Sequence, residues 1–420
     1  NKDGQKVYTT DIIVDDQEFA DSKGQGGDNS GFGGGVFSVN YNDDKIDTSV
    51  GGGLNYYKNT HNGKVVWVKN YIGNLDPDHE YYRNIGRKTD GNIYAKANWE
   101  VGGGINLYAD LQYRYTRYKI NGNNDKWDWT ADPGHLQPLN IDEEFNFFNP
   151  KAGAFWNINS YNKVYGSFSV AHKEPTRNNY TDNLFAARPK AERLFDYELG
   201  YTFHKDWFSA GVNLYYMDYK NQLVLNGQLN EIGEAVAENV KDSYRMGIEL
   251  QGALQPLKWF DWQWGLTLSR NRIRNFIEVI YEEEYANPIF IDCGDTPIAF
   301  SPDVTFNNAF NFHVAGFDAS LQSQYVGKQY MNNARSEAAL LKAYFVSNLH
   351  LGYTFRGLLG MKSLRVGLSV NNIFNEKYCN NGYAGAGYSV GPDGKKEIYR
   401  YAGYAAQAPT NVMATLTARF

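Results

Sequence analysis

Cysteine is nearly absent: 420 residues hold only Cys293 and Cys379. That excludes a small disulfide-framework scaffold. An excess of positive charge is lacking too, since 41 Lys and Arg face 47 Asp and Glu for a formal charge of −6. Nothing here resembles the electrostatic footprint of a nucleic-acid binder. Long apolar runs are missing, and none approaches the ~18 residues of a membrane-spanning helix. The opening Asn1-Lys2-Asp3-Gly4 is polar and carries no signal-segment pattern. Aromatic residues and glycine are what the chain has in quantity: 33 Tyr, 24 Phe, 9 Trp and 42 Gly, with only 21% charged residues. Such a composition is not that of a disordered chain. Strands that alternate apolar and polar residues reconcile this aromatic content with a soluble-looking average hydropathy.

Alternation runs through the sequence. Leu107, Ala109, Leu111, Tyr113 and Tyr115 interleave with Asp110, Gln112, Arg114 and Thr116. Phe195, Tyr197, Leu199, Tyr201 and Phe203 interleave with Asp196, Glu198, Gly200 and Thr202. Met246, Ile248 and Leu250 alternate with Arg245, Gly247, Glu249 and Gln251, and the same period recurs at Trp262–Ser269 and Leu364–Asn371. Period two marks strands, because successive side chains leave opposite faces. About sixteen strands are expected, near 5–14, 32–42, 46–58, 89–101, 104–119, 143–158, 161–172, 191–203, 207–221, 241–254, 258–273, 302–314, 317–329, 341–355, 363–373 and 410–420. They match the ~9–11 residues of a tilted strand crossing a bilayer.

Short turns near 42–45, 101–104, 159–161, 204–206, 255–257, 315–316 and 356–362 alternate with long connections at 15–31, 59–88, 120–142, 173–190, 222–240, 274–301, 330–340 and 374–409. An up-and-down barrel in an outer membrane has this rhythm, with short turns on one rim and long loops on the other. Trp99, Trp156, Trp207, Trp259, Trp262 and Trp264 lie in strands or near short turns, and Tyr57, Tyr118, Tyr216 and Tyr219 near the long-loop ends. Aromatic girdles at two interfaces would be placed this way. The fold expected is therefore all-β, an antiparallel transmembrane β-barrel over residues 1–420.

Several stretches resemble the C-terminal barrel of TonB-dependent outer-membrane receptors. The run Leu364–Tyr378 is similar to the family's penultimate strand and its exit. Asn149–Gly153, Asp196–Tyr201 and Leu214–Asn221 resemble three further strand segments, and Phe420 closes an aromatic-terminated last strand. The resemblance implies a barrel of twenty-two strands preceded by a signal peptide and a plug. On that reading this chain is the later part of a longer receptor, without the plug and first strands. It further implies a bacterial outer-membrane monomer that binds a scarce solute such as a ferric siderophore or other metal chelate. TonB, acting through the plug, would supply the energy for import. Cobalamin, haem, a glycan importer and a passive porin are the alternatives. Departures from the family pattern occur at His172-Lys173-Glu174-Pro175-Thr176 and Arg188-Pro189-Lys190-Ala191, and the span from Pro175 to Arg188 holds no His, which disfavours haem.

No enzymatic constellation, cofactor motif or His-Cys metal spacing is found among the seven His. Rivals from other classes are a soluble carbohydrate-binding module and an outer-membrane enzyme. His172, His313 and His350 are expected as hydrogen-bonded lumen or rim residues. The Gly- and Tyr-rich Gly382–Gly391 reads as a mobile loop. Carboxylates at Asp15, Asp16, Glu18 and Asp21 and at Glu282–Glu284 read as solvated loop residues. Candidate ligand-binding residues in the long connections are Lys173, Arg177, Tyr180, Phe185, Arg188, Tyr281, Tyr285, Tyr330 and Tyr383. Cations there suit an anionic chelate, and aromatic faces suit its apolar parts. Cys293 and Cys379 both fall in long connections, where an oxidising exterior permits a disulfide.

Overall fold

A computed structural model describes residues 7–15, 29–65, 67, 79–128, 131–181, 188–230, 233–281, 288–358 and 360–420. It comprises two compact units, Asn1–Gly153 with Ser169–His172, and Ala154–Phe168 with Lys173–Phe420. The first is built on β1 (Val7–Asp15), β2 (Asn29–Asn42), β3 (Ile46–Lys64), β4 (Glu80–Gly102), β5 (Ile105–Asp128) and most of β6 (His135–Asn157). Each of β1 to β4 pairs antiparallel with the strand that follows it.

The second unit holds most of β7 (Asn162–Lys173), then the short helix α1 (Arg177–Thr181), β8 (Glu192–Lys205), β9 (Phe208–Leu229), β10 (Ala235–Leu257) and β11 (Phe260–Ile280). β12 (Ile289–Pro297), β13 (Val304–Val314), β14 (Phe317–Val326), β15 (Gln329–Tyr330), β16 (Leu340–Leu341) and β17 (Tyr344–Arg356) follow. β18 (Ser363–Asn371), β19 (Cys379–Val390), β20 (Lys396–Ala406) and β21 (Asn411–Arg419) complete it. The ladder runs β8–β9–β10–β11–β13–β14–β17–β18–β21, every pairing antiparallel. On the edge away from β10, β11 has two partners along its length: β13 pairs with Phe260–Leu268, and β12 with Arg272–Ile280.

The short turns are locally encoded. Asp43 Oδ1 accepts hydrogen bonds from the Lys45 and Ile46 amides at 2.9 and 3.0 Å, and Asn159 Oδ1 does the same for Tyr161 and Asn162. Ala315 and Gly316 both take positive φ, the requirement of a two-residue hairpin turn whose twist matches its strands.

Register gives each unit two unlike faces. In the second unit Leu199, Leu214, Ile248 and Leu268 form one cross-strand row, and Tyr201, Val212, Leu250, Leu266, Phe306, Tyr325 and Phe345 form another. Leu199, Ile248, Leu268 and Phe345 are exposed, so among the described residues nothing covers this apolar face at those positions. The opposite face carries Glu249, Gln251, Thr267, Asn307, Gln322, Asn348 and His350 on successive strands. On that face Asp318 accepts two hydrogen bonds from Arg365 at 2.6 Å. The pair meets across Gly352, where a Cβ would land on both groups.

Each expected strand has its counterpart, but the strands on the long-connection side run further than the alternation indicated. β3 reaches Lys64, β4 begins at Glu80, and β5 ends at Asp128. β9, β10 and β11 are lengthened similarly, to Leu229, from Ala235 and to Ile280. In β3, β4 and β5 the added residues are largely polar, and a backbone ladder needs no apolar side chain where both faces are wet. In β9, β10 and β11 they include Val224, Val240 and Phe276, which pack with Ile273 and Ile298. Within the long connections the chain also forms β12, the β15–β16 pair and the β19–β20 hairpin. The Gly382–Gly391 stretch is therefore mostly ladder, not an irregular loop.

The tyrosine girdle is also corrected by parity. Tyr216 lies on the apolar face, in ring contact with Tyr197 and Tyr244. Tyr57 and Tyr118 in the first unit, and Tyr219 in the second, sit one residue out of phase with the apolar positions of their strands and so lie on the polar face of their own unit. Trp99 and Trp156 at the short-turn ends of β4 and β6, and Trp207 and Trp259 in the short turns after β8 and β10, are all exposed.

Candidate functional site

The polar face of the second unit is the first place where side chains converge. β9, β10 and β11 bring Asn213, Tyr215, Met217, Arg245, Glu249, Ser269 and Asn271 onto one surface, joined by Glu198 from β8 and Thr305 from β13. Gly247, between Arg245 and Glu249, leaves the space that the Tyr215 ring occupies. The segment Phe300–Pro302 closes one side, and the resulting cleft measures about 340 Å³, at the small end of ligand pockets (~300–1,000 Å³). Arg245 Nη1 donates to Ser301 Oγ at 2.9 Å, and Ser301 Oγ in turn donates to the Ala299 carbonyl at 3.1 Å. Asn271 Nδ2 donates to Ser269 Oγ at 3.0 Å, which bonds to the Pro302 carbonyl at 3.1 Å. One cation, two carboxylates and several neutral donors thus line a fixed wall suited to holding a polar group.

A packed layer formed by the long connections adjoins this cleft. Met331 is fully buried with Ala339, Leu341 and Ala384, against Phe300, Cys379 and Ala402. Asn333 is the tie: its Oδ1 accepts from the Ala299 amide at 2.9 Å, and its Nδ2 donates to the Leu225 carbonyl at 3.0 Å. The β19–β20 hairpin docks on β11 through Arg400, whose guanidinium makes two 2.6 Å bonds to the buried Glu278 carboxylate. Tyr388 on the same hairpin is fully buried, and its amide donates to the Tyr281 carbonyl. Lys396 Nζ lies 4.8 Å from the Tyr388 ring centroid. Burial and the adjacent Glu278 charge push the Cys293 thiol up from its ordinary value.

Sequence-selected residues fall in different environments. Tyr281, Tyr330 and Tyr383 stand on the segments that form this layer. Tyr330, expected to face an external vestibule, is instead buried, its hydroxyl donating to Glu337 Oε1 at 2.9 Å. Tyr383 is 44% exposed. Lys173, at the end of β7, is 3.7 Å from Glu192. Arg177 and Tyr180 are on α1, and Tyr180 is buried rather than open to a vestibule. Arg188 is exposed. Phe185, Tyr285, Asp16, Glu18, Asp21 and Glu282–Glu284 lie outside the described residues. Cys293 and Cys379 are both free thiols in this structure. His172 Nδ1 is 2.9 Å from Asn149 Oδ1, and His350 Nδ1 is 3.0 Å from Ser369 Oγ.

The cleft residues were visible in the sequence only as the polar half of an alternation. Arg245, Gly247 and Glu249 stand at consecutive polar positions of β10. Nothing local announces that Phe300–Pro302 folds beside them.

Comparison with protein families matches residues 3–373 to the TonB dependent receptor-like β-barrel. No curated protein matches. Among solved structures, the ferric-catecholate import receptor Fiu from E. coli K12 superposes with a TM-score of 0.63 at 16% identity, covering 94% of this chain and 55% of that one. The ferric yersiniabactin uptake receptor FyuA from Yersinia pestis gives 0.60 at 14% identity, covering 99% and 58%. The siderophore receptor PiuA from Acinetobacter baumannii gives 0.62 at 12% identity, covering 92% and 56%. At these identities the likeness concerns the fold, and the chain spans little more than half the length of each.

Proposed function

Because the chain belongs to the TonB-dependent receptor-like β-barrel family, we propose that it is the barrel part of an outer-membrane importer. The long-connection side captures a scarce solute, of which a ferric siderophore or another metal chelate is the type favoured. TonB supplies the energy, and the barrel wall does no covalent chemistry. The observation that carries this reading is the two-faced ladder: exposed aliphatic and aromatic rows on one side, and Arg, Glu, Asn, Gln and Ser on the other. Strands with every backbone group paired and one apolar face are the way a β-protein meets lipid. Of the solved structures that share the fold, Fiu, FyuA and PiuA are named as ferric-catecholate, ferric yersiniabactin and siderophore receptors, and another, OprC, as a copper transporter, which supports the solute class.

Within that reading the exposed Arg188 and Tyr383 are contacts for an anionic, partly aromatic chelate, with Lys173 able to exchange Glu192 for it. Tyr180 and Tyr330 hold the connections in shape. The Arg245 cleft offers a polar wall along the route.

Uptake of radiolabelled ferric siderophores tests this, in iron-limited cells with or without the intact gene and with or without TonB. Uptake of at least one chelate that needs both is expected. Uptake that persists without TonB, together with a large steady conductance in planar bilayers, would instead identify a passive porin.

A further inference from the structure

The apolar face of the first unit ends in a rung of cations. From the short turns toward the long connections, β3, β4 and β5 present Val50–Ala95–Leu111, Gly52–Ile93–Tyr113 and Leu54–Gly91–Tyr115 in register. Val50, Leu54, Ile93, Leu111 and Tyr113 are all exposed. The next rung is Tyr56–Thr89–Arg117, and the one beyond it Lys58–Arg87–Lys119. Alternation keeps all of these side chains on the same face.

Height along the strand says what meets that rung. Trp99 marks the other end of the apolar band, and Arg87 lies twelve residues along β4 from it. At ~3.3 Å per residue and a strand tilt of ~40°, that is ~30 Å across the bilayer, just beyond the ~25 Å apolar band of a membrane barrel. The rung therefore stands at the level of lipid headgroups.

Charge says the same. Like charges directly opposite each other on neighbouring strands repel, yet Lys58 faces Arg87 and Arg87 faces Lys119. Asp142 answers Lys119 at 2.8 Å and Arg117 at 3.0 Å, and Glu144 answers Arg117 at 3.0 Å. Among the described residues no carboxylate pairs with Lys58 or Arg87. Beside Lys58 the neighbouring strand carries Gly31, and beside Tyr56 it carries Gly33; a Cβ at either glycine would meet nothing within 4 Å. Lys58, at the β2 side of the rung, is thus approached over bare backbone.

We propose that Lys58, Arg87 and Lys119, with Arg117, form a docking surface for the headgroup phosphate of an anionic membrane lipid. The lipid belongs to the leaflet on the long-connection side, and the inference rests on reading the chain as a membrane-spanning barrel. The phosphate supplies the negative charge that, among the described residues, no carboxylate provides to Lys58 and Arg87, and guanidinium and ammonium groups on adjacent strands can share its oxygens.

The test uses the full-length protein in neutral detergent, titrated with diphosphorylated lipid A and followed by native mass spectrometry. Dephosphorylated lipid A and inorganic phosphate serve as comparison probes. Wild-type protein should retain lipid A, and added salt should weaken it. K58Q/R87Q should weaken it roughly tenfold or more, in line with the contribution of two basic residues at a lipid surface. K88Q, one residue away on the opposite face, should leave it unchanged. Without anionic lipid, K58Q should melt no lower than wild type, because it relieves a like-charge contact. Equal retention by wild type and K58Q/R87Q, an equal loss in K88Q, or indifference to the phosphates would overturn the proposal. Tight binding of inorganic phosphate alone would also overturn it, by assigning the rung to a free anion. Flotation with neutral vesicles separates the two readings: protein that fails to insert refutes the barrel itself, whereas inserted protein with unselective lipid binding refutes only the docking surface.

Discussion

Asp142 takes hydrogen bonds from both Arg117 and Lys119, and these hold its carboxyl down at about 2. The folded value lies below the ~3.9 of an unfolded Asp, so the stabilisation is fully present above that unfolded value. It is lost as pH falls toward 2. Carbon-detected NMR of the side-chain carboxyl should show a midpoint near 2 in the folded protein. In R117Q the midpoint should rise while staying below ~3.9, since Lys119 remains. An unchanged midpoint would show that Arg117 is not the controlling partner. Glu278 presents the complementary case of a buried carboxylate with one strong partner. Arg400→Gln leaves that charge without its guanidinium, and the hairpin should lose about 1–3 kcal/mol of docking free energy, discounted for the partial exposure of Arg400. Hydrogen exchange across 379–406 would accelerate accordingly, and the Cys293 thiol would become easier to alkylate. Exchange unchanged from wild type would mean that the Met331 cluster alone holds the hairpin.

At the scale of elements, a single rung shows how unequal the two faces are. Ile248 and Gln251 both lie on β10 but point to opposite sides, the first into the Leu199–Leu214–Ile248–Leu268 row. Ile248→Lys should destabilise the protein by about 2–4 kcal/mol in bilayers, the cost of a cation at mid-membrane. Gln251→Lys should cost less than half as much. Urea unfolding in lipid vesicles measures both, and equal losses would remove the basis for assigning the faces. The same contrast explains what could be read in advance. Apolar alternation located the membrane-level part of every strand, because only there does one face need to be apolar. Beyond it, stretches such as Asn121–Asp128 pair as readily with no apolar pattern to betray them. β12 was hidden by its Asp, Cys and Gly residues, and the β19–β20 hairpin by glycines whose partners across the ladder are tyrosines, as at Tyr383–Gly403 and Gly385–Tyr401. The cleft was half legible: Arg245 and Glu249 stood out as polar positions on a strand. Its other wall, Phe300–Pro302, is placed by Asn333 and Met331 from a distant connection.

For the molecule as a whole, the composition that first looked contradictory follows from these two faces. Leu, Ile, Val and many of the aromatic residues turn toward one medium and Gln, Asn, Ser, most charged groups and the remaining Tyr toward another, so the average is neither that of a soluble core nor that of a spanning helix. The central claim is that the first medium is lipid and the second is water. Spin labels placed singly from 244 to 251 along β10, in the protein reconstituted into bilayers, test it most directly. Collision with oxygen should dominate at 246, 248 and 250, and collision with a water-soluble nickel chelate at 245, 247, 249 and 251. Accessibility to the nickel chelate at every position, with no two-residue period, would contradict a transmembrane barrel and the import function built on it.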